Sequence, residues 1–302
     1  LVLIFLSLTR LCPAQPVNTA LATRSAAHAA EEGRAASLFQ AGRLREAEDL
    51  YQRLAQHGPD LADGWYHLGL VRAARGRYRD AVDAQRLAVA HAPQFGQAYC
   101  ALALDLRETG QLAEGRQAVE KAVELLPAYA GAWNLRANLK QDQGDLDGAA
   151  SDYSQALRLA PRYAGAWFNW AQLQEKHRQK DEALKSYGFA LQIKPDFAEA
   201  WLARAEMHLD RHALDAAEAD FRRVTRLGGW DPEAWWGLAR VAKARGKKGE
   251  EKECQVRYKA AVHRRDQRLA DERRQGLEQA APYEPGWPLA LSQGSDSALV
   301  AP

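Results

Sequence analysis

The chain has 302 residues, 47% of them hydrophobic and 26% charged, and a formal net charge of +2 at pH 7. That is enough material for a substantial core and too polar a composition for an integral membrane protein. The near balance of charge excludes both a bulk basic surface for nucleic acid and the acidic bias of a disordered chain.

The chain opens with "LVLIFLSL", Leu1 to Leu8, followed by "TRLCPAQ" and "NTALAT". A bilayer span needs about 20 apolar residues, so this run is too short to cross one. Its length suits the apolar region of a secretory signal peptide. Small residues offer cleavage after Ala14 or after Ala22. Residues 1–22 are therefore expected to be a signal peptide and the protein periplasmic or secreted; a frayed apolar N-terminus on a cytoplasmic protein is the alternative. Cys12 follows "LTRL", which lacks the small residues of a lipoprotein site.

From there the chain repeats itself. Proline stands at Pro59, Pro93, Pro127, Pro161 and Pro195, at intervals of thirty-four residues. Six residues after each comes an aromatic: Trp65, Tyr99, Trp133, Trp167 and Trp201, and the series continues to Trp235 although Gly229 replaces the proline. A fixed period of this length marks a repeat array. Numbering the first full repeat from Ala62 puts Trp65 at slot four, Gly69 at slot eight, Gly76 at slot fifteen, Ala81 at slot twenty and Ala88 at slot twenty-seven. The aromatic and small slots are three or four apart and share one helical face.

Each period predicts a helix, a turn and a second helix. Glycine near slot fifteen (Gly42, Gly76, Gly110, Gly144, Gly246) ends the first helix. Glu46, Asp80, Glu114, Asp147, Asp181 and Asp215 open the second, where the helix dipole favours negative charge. Proline ends it. Slot eight reads Gly69, Ala103, Ala137, Ala171, Ala205, Ala239 and slot twenty Ala81, Gly115, Ala149, Ala183, Ala217, small residues that let paired helices approach. The slot-four ring is expected to fill the remaining space, with neighbouring repeats supplying the core.

This pattern resembles the tetratricopeptide repeat family over residues 62–265, as six repeats opening at Ala62, Gly96, Ala130, Ala164, Ala198 and Pro232. The resemblance implies an all-α fold, a right-handed superhelical α-solenoid of helix–turn–helix repeats closed by a C-terminal capping helix. Residues 23–61 hold a degenerate capping repeat that keeps Gly42, Ala47, Tyr51 and Pro59 but has Glu31 at slot four. The last repeat departs at Glu251 and Gln255. Gly249 to Gln279 reads as one long, solvated helix; a basic patch for nucleic acid or anionic lipid is the weaker reading, because acids are interleaved throughout. From Ala280 the chain is rich in Pro, Gly and Ser and reads as a disordered tail carrying Trp287. Residues 266–302 thus comprise the extension of the capping helix and that tail.

Catalytic motifs are missing: there is no G-x-G-x-x-G, P-loop, G-x-S-x-G or H-E-x-x-H. The pair His208 and His212 in "HLDRH" lacks a third ligand and reads as surface histidines. Cys100 and Cys254, more than four repeats apart, read as free thiols. No enzyme activity, cofactor or metal is expected. In the family that this chain resembles, the first helices line a concave groove through slots two, five, nine and twelve. Those slots nominate Tyr66, Leu70, Arg107, Asn134, Asn138, Phe168, Gln172, Glu206, Trp236 and Arg240 for a protein or peptide partner. Family members that clamp a peptide's terminal carboxylates use two asparagines, matched here by Asn138 and Asn169, with basic residues where this chain has Asn134, Glu199 and Ala203. The charge for that clamp is missing. The expected function is an interaction scaffold for assembly, secretion or envelope organisation. The repeat portion of a larger transferase-type enzyme and a self-associating structural protein remain open alternatives.

Overall fold

A computed structural model describes residues 19–57, 61–228 and 231–274. Among these there are fourteen α-helices and no strand: α1 (Thr19–Gln40), α2 (Leu44–His57), α3 (Leu61–Ala74), α4 (Tyr78–His91), α5 (Gly96–Glu108), α6 (Leu112–Leu125), α7 (Ala130–Asp142), α8 (Leu146–Leu159), α9 (Ala164–Lys176), α10 (Lys180–Ile193), α11 (Ala198–Asp210), α12 (Leu214–Gly228), α13 (Pro232–Ala244) and α14 (Lys248–Arg274). The helices fall into two compact units, α1–α8 and α9–α14. Within each unit every helix packs on the next; α3 also meets α5, α5 meets α7, and α11 meets α13. The run Leu1–Leu8, Cys12, Pro59, Gly229 and the tail with Trp287 lie outside the described residues.

The predicted hairpins form, and their turns have one geometry. Gly42, Gly76, Gly110, Gly144 and Gly246 take φ of 72° to 84°. After α5 the amide of Gln111 donates to the Leu106 carbonyl and that of Gly110 to the Arg107 carbonyl, the two bonds of a Schellman stop. Arg178 and His212 hold the same turn at φ 60° and 55° without the freedom of glycine. Acidic residues stand in the first turn of α2, α4, α6, α8, α10 and α12 as expected.

The small slots are where the helices meet. Ala103, Ala137, Ala171 and Ala205 at slot eight, and Ala81, Ala149, Ala183 and Ala217 at slot twenty, are fully buried. The slot-four rings pack against the cores as expected, though without full burial. Trp133, Trp167 and Trp201 are only half-buried, with each indole Nε1 donating to the carbonyl of the proline six residues earlier. The deepest rings are Phe197, just before α11, and those at slot twenty-four of the second helices: Tyr51, Tyr153, Tyr187 and Phe221.

The degenerate repeat, α1 and α2, is tied on by charge as well as by packing. Buried Glu48 accepts from Arg72, Arg75 and Arg77, which joins α2 to the end of α3 and its turn. At the other end α14 runs unbroken for 27 residues and is largely exposed beyond Ala261. Its charges pair along the helix, as in Arg257 with Glu253, and with α13, as in Arg265 with Glu233. No helix among the described residues is long and apolar enough to cross a membrane.

Candidate functional site

In the unit α1–α8 the first helices α3, α5 and α7 carry the nominated slots, and burial sorts them. Tyr66 and Leu70 are half-buried; Tyr66 packs on Phe95, with ring centroids 4.9 Å apart, and burial pushes its phenol above the usual range. Cys100 is a buried free thiol, raised to about 12 by burial. Asn134 is 5% exposed and sits inside the unit. Asn138 is half-buried and accepts from the Tyr153 hydroxyl, so its carbonyl is already committed. Arg107 reaches forward one repeat to donate to Asp142.

In the unit α9–α14 the same slots are more open. Phe168 packs between Phe197 (4.9 Å) and Tyr187 (5.7 Å). Gln172 is exposed. Arg240 on α13 donates to Glu206 on α11 at 2.6 Å, slot nine to slot nine across adjacent repeats. Trp236 is 49% exposed and tilts against Tyr258 of α14 at 5.5 Å, while its neighbour Trp235 is turned into the hairpin core. On α11, His208 is half-buried beside Asp220 at 3.9 Å, and burial lowers its pKa despite that neighbour; His212 is the left-handed turn residue.

Three hairpins carry polar cores that periodicity alone did not reveal. In α7 and α8, Asp152 accepts from Arg136 (2.7 and 2.8 Å) and pairs with Lys140 (2.8 Å). In α11 and α12, Asp220 accepts from Arg204 (2.8 and 2.9 Å). Arg136 and Arg204 also cover the rings of Trp133 and Trp201 at 4.6 and 4.8 Å. In α9 and α10 the equivalent slots hold Trp170, Gln174 and Ser186, with the Gln174 amide 2.7 Å from Ser186 Oγ and 2.8 Å from Trp170 Nε1. The pairing of slot seven with slot twenty-three is the signal: arginine faces aspartate at both places in the third and fifth repeats.

A further polar group joins α1 to α3. Glu32, Asp63 and His67 bring one ligand-type atom each to within 4.8 Å of one another. His67 Nδ1 lies 3.2 Å from Asp63 Oδ2, and its ring stacks on Tyr51 at 5.2 Å. Burial works against charge on both groups, but their mutual attraction outweighs it, so the carboxyl is held low and the imidazole high.

The family model for the tetratricopeptide repeat matches residues 19–94, 100–164, 134–188 and 168–232. The chain belongs to the tetratricopeptide repeat family. The match reaches back to residue 19, so it takes in the degenerate first repeat that lacks the slot-four ring. Tetratricopeptide repeats imply a protein–protein interaction scaffold. Among solved structures the fold is similar to PilF of Pseudomonas aeruginosa, at 17% identity and a TM-score of 0.59, over 66% of this chain and 90% of that one. It is similar to a tetratricopeptide repeat protein from Parabacteroides merdae, at 15% identity and 0.60, over 78% and 92%. It is also similar to TTC0263 of Thermus thermophilus, at 22% identity and 0.53, over 60% and 99%. The search of curated protein sequences returns no match.

Proposed function

We propose that this tetratricopeptide protein is a non-catalytic scaffold that captures an extended peptide or a partner helix against its first helices, chiefly in the unit α9–α14. The observation that carries this reading is Trp236. A residue large enough to bury about 150–250 Å² is left 49% exposed on α13, beside Tyr258 and one turn before Arg240, which pairs with Glu206 of α11. Exposed tryptophan and arginine side by side are the usual anchors of a protein interface. Gln172 and Lys243 add exposed polar groups at slots nine and twelve. In the other unit Asn134 and Asn138 are absorbed into packing, which favours Trp236 as the anchor.

A displayed random-peptide library selected on the full chain supplies the test. Peptides retained by the wild type should lose at least tenfold in affinity with Trp236→Ala and with Arg240→Ala. Unchanged binding in both would overturn the site. The apolar run Leu1–Leu8 and the small residues after it support a setting outside the cytoplasm, in assembly, secretion or envelope organisation. Fractionation of the native host tests that separately: recovery in the cytosol alone would remove it.

A further inference from the structure

We propose that Glu32, Asp63 and His67 form a binding site for a divalent transition ion of the zinc type, joining the first, degenerate repeat to the first full one. The three side chains come from two helices, α1 and α3, that belong to different repeats. Their ligand-type atoms all lie within 4.8 Å of one another. The best-defined pair, His67 Nδ1 and Asp63 Oδ2, is 3.2 Å apart. Neighbouring donors around a tetrahedral ion with bonds of about 2.0–2.1 Å sit a little over 3 Å apart, so the pair would keep its spacing on exchanging its proton for an ion, and Nδ1 would then give up its hydrogen bond to the Asp63 carbonyl at 3.0 Å.

The register of the two helices makes the arrangement more than a chance meeting of charges. Asp63 and His67 are four apart on α3, one above the other on a single face. On α1, His28 stands four residues before Glu32, half-buried like it, and its charge reaches Asp63. The atoms that come together are one imidazole and two carboxylates, and His28 is not among them. One imidazole with two carboxylates is a donor set that suits zinc and its neighbours better than magnesium or calcium, which prefer oxygen alone. Asp63 and His67 are partly covered, the imidazole with 12% of its side chain exposed and the carboxylate with 34%, so the site is shielded yet open to entry. Its consequence would be mechanical: an ion here would lock the terminal repeat to its neighbour.

The full chain, stripped with a chelator, is titrated with zinc chloride alone in a calorimeter. One saturable site per chain is expected, with affinity reduced at least tenfold in Glu32→Gln and in Asp63→Asn and less so in His28→Gln. Zinc should raise the melting temperature of the wild type and leave that of Glu32→Gln unmoved, whereas a purely structural ion-pair cluster predicts no zinc dependence in either. A His208→Gln/His212→Gln variant, altered at the other pair of helical histidines, should bind as the wild type does. No saturable uptake, or uptake that persists in both Glu32→Gln and Asp63→Asn, would overturn the proposal. Glu32 is half-exposed on α1, so its glutamine variant keeps the test decisive even where a change at His67 disturbs folding.

Discussion

The indole Nε1 of Trp133 donates to the carbonyl of Pro127 at 2.8 Å, and Trp167 with Pro161 and Trp201 with Pro195 repeat the bond at 2.9 and 3.0 Å. In these three repeats the bond accounts for the six-residue spacing of proline and tryptophan. Proline stops the second helix, and the next helix turns its first large ring back to satisfy the carbonyl left at that stop. Trp133→Phe keeps most of the ring and removes the donor, so it should cost about 0.5–1.5 kcal/mol. Urea denaturation measures it. No loss of stability would mean that water serves the Pro127 carbonyl equally well.

Arg178 and His212 hold left-handed turns that glycine holds in the other hairpins. An L-residue pays about 1–2 kcal/mol there, and glycine returns part of the gain through the greater freedom of its unfolded chain. Arg178→Gly and His212→Gly should each stabilise by about 0.5–1 kcal/mol, seen as a higher melting temperature. Gly110→Ala should move in the opposite direction by a similar amount.

Asp105 occupies slot ten of the second full repeat, where the others have Val71, Leu139, Leu173, Met207 and Val241, all buried. It is 1% exposed, and neither carboxylate oxygen has a hydrogen-bond partner among the described residues. Burial first, and the charge of Glu108 second, hold its carboxyl well above the usual range. The folded chain therefore binds this proton more tightly than the unfolded chain, whose pKa is about 3.9. The stability that goes with the proton is complete below about pH 3.9 and is lost as pH rises toward the folded value. Asp105→Leu should stabilise at pH 7 by about 1–3 kcal/mol and remove that part of the pH dependence. Denaturation at pH 4 and pH 7 checks both; equal slopes for variant and wild type would show that the carboxyl has found a partner.

The period and its small and turn slots were legible because they depend on backbone geometry, which repeats. Ala137 is buried because every slot-eight residue must let two helices touch, whatever its neighbours are. What a polar side chain does at a slot depends on one particular neighbour, and periodicity does not carry that. Asn138 stands at a slot expected to face a partner, yet it accepts from Tyr153 because a tyrosine stands at slot twenty-four of the same repeat. In the first full repeat slot twenty-four is Gln85, which turns to the Tyr66 carbonyl at 3.1 Å instead. Glu32 meets Asp63 and His67 across two repeats and from slots that are not one period apart, so only the packing of α1 on its neighbours could reveal the trio.

Close packing at the small slots yields the last prediction. Ala137 on α7 is fully buried, and Gly237 is tightly packed too, since a methyl group placed on it would lie 2.3 Å from Cζ of Phe221. Phe221 is itself fully buried at slot twenty-four, so the ring has nowhere to retreat without shifting α12. Ala137→Leu and Gly237→Ala should each destabilise by about 1–3 kcal/mol through overpacking. The intrinsic helix propensity of alanine works the other way at Gly237, by up to about 1 kcal/mol. Gly249→Ala is the control: it adds the same methyl group to a helix, at a glycine whose added methyl would meet nothing within 4 Å. Thermal unfolding should therefore lower the midpoint for Gly237→Ala and raise or preserve it for Gly249→Ala. Two variants that shift together would place the Phe221 ring elsewhere than against α13.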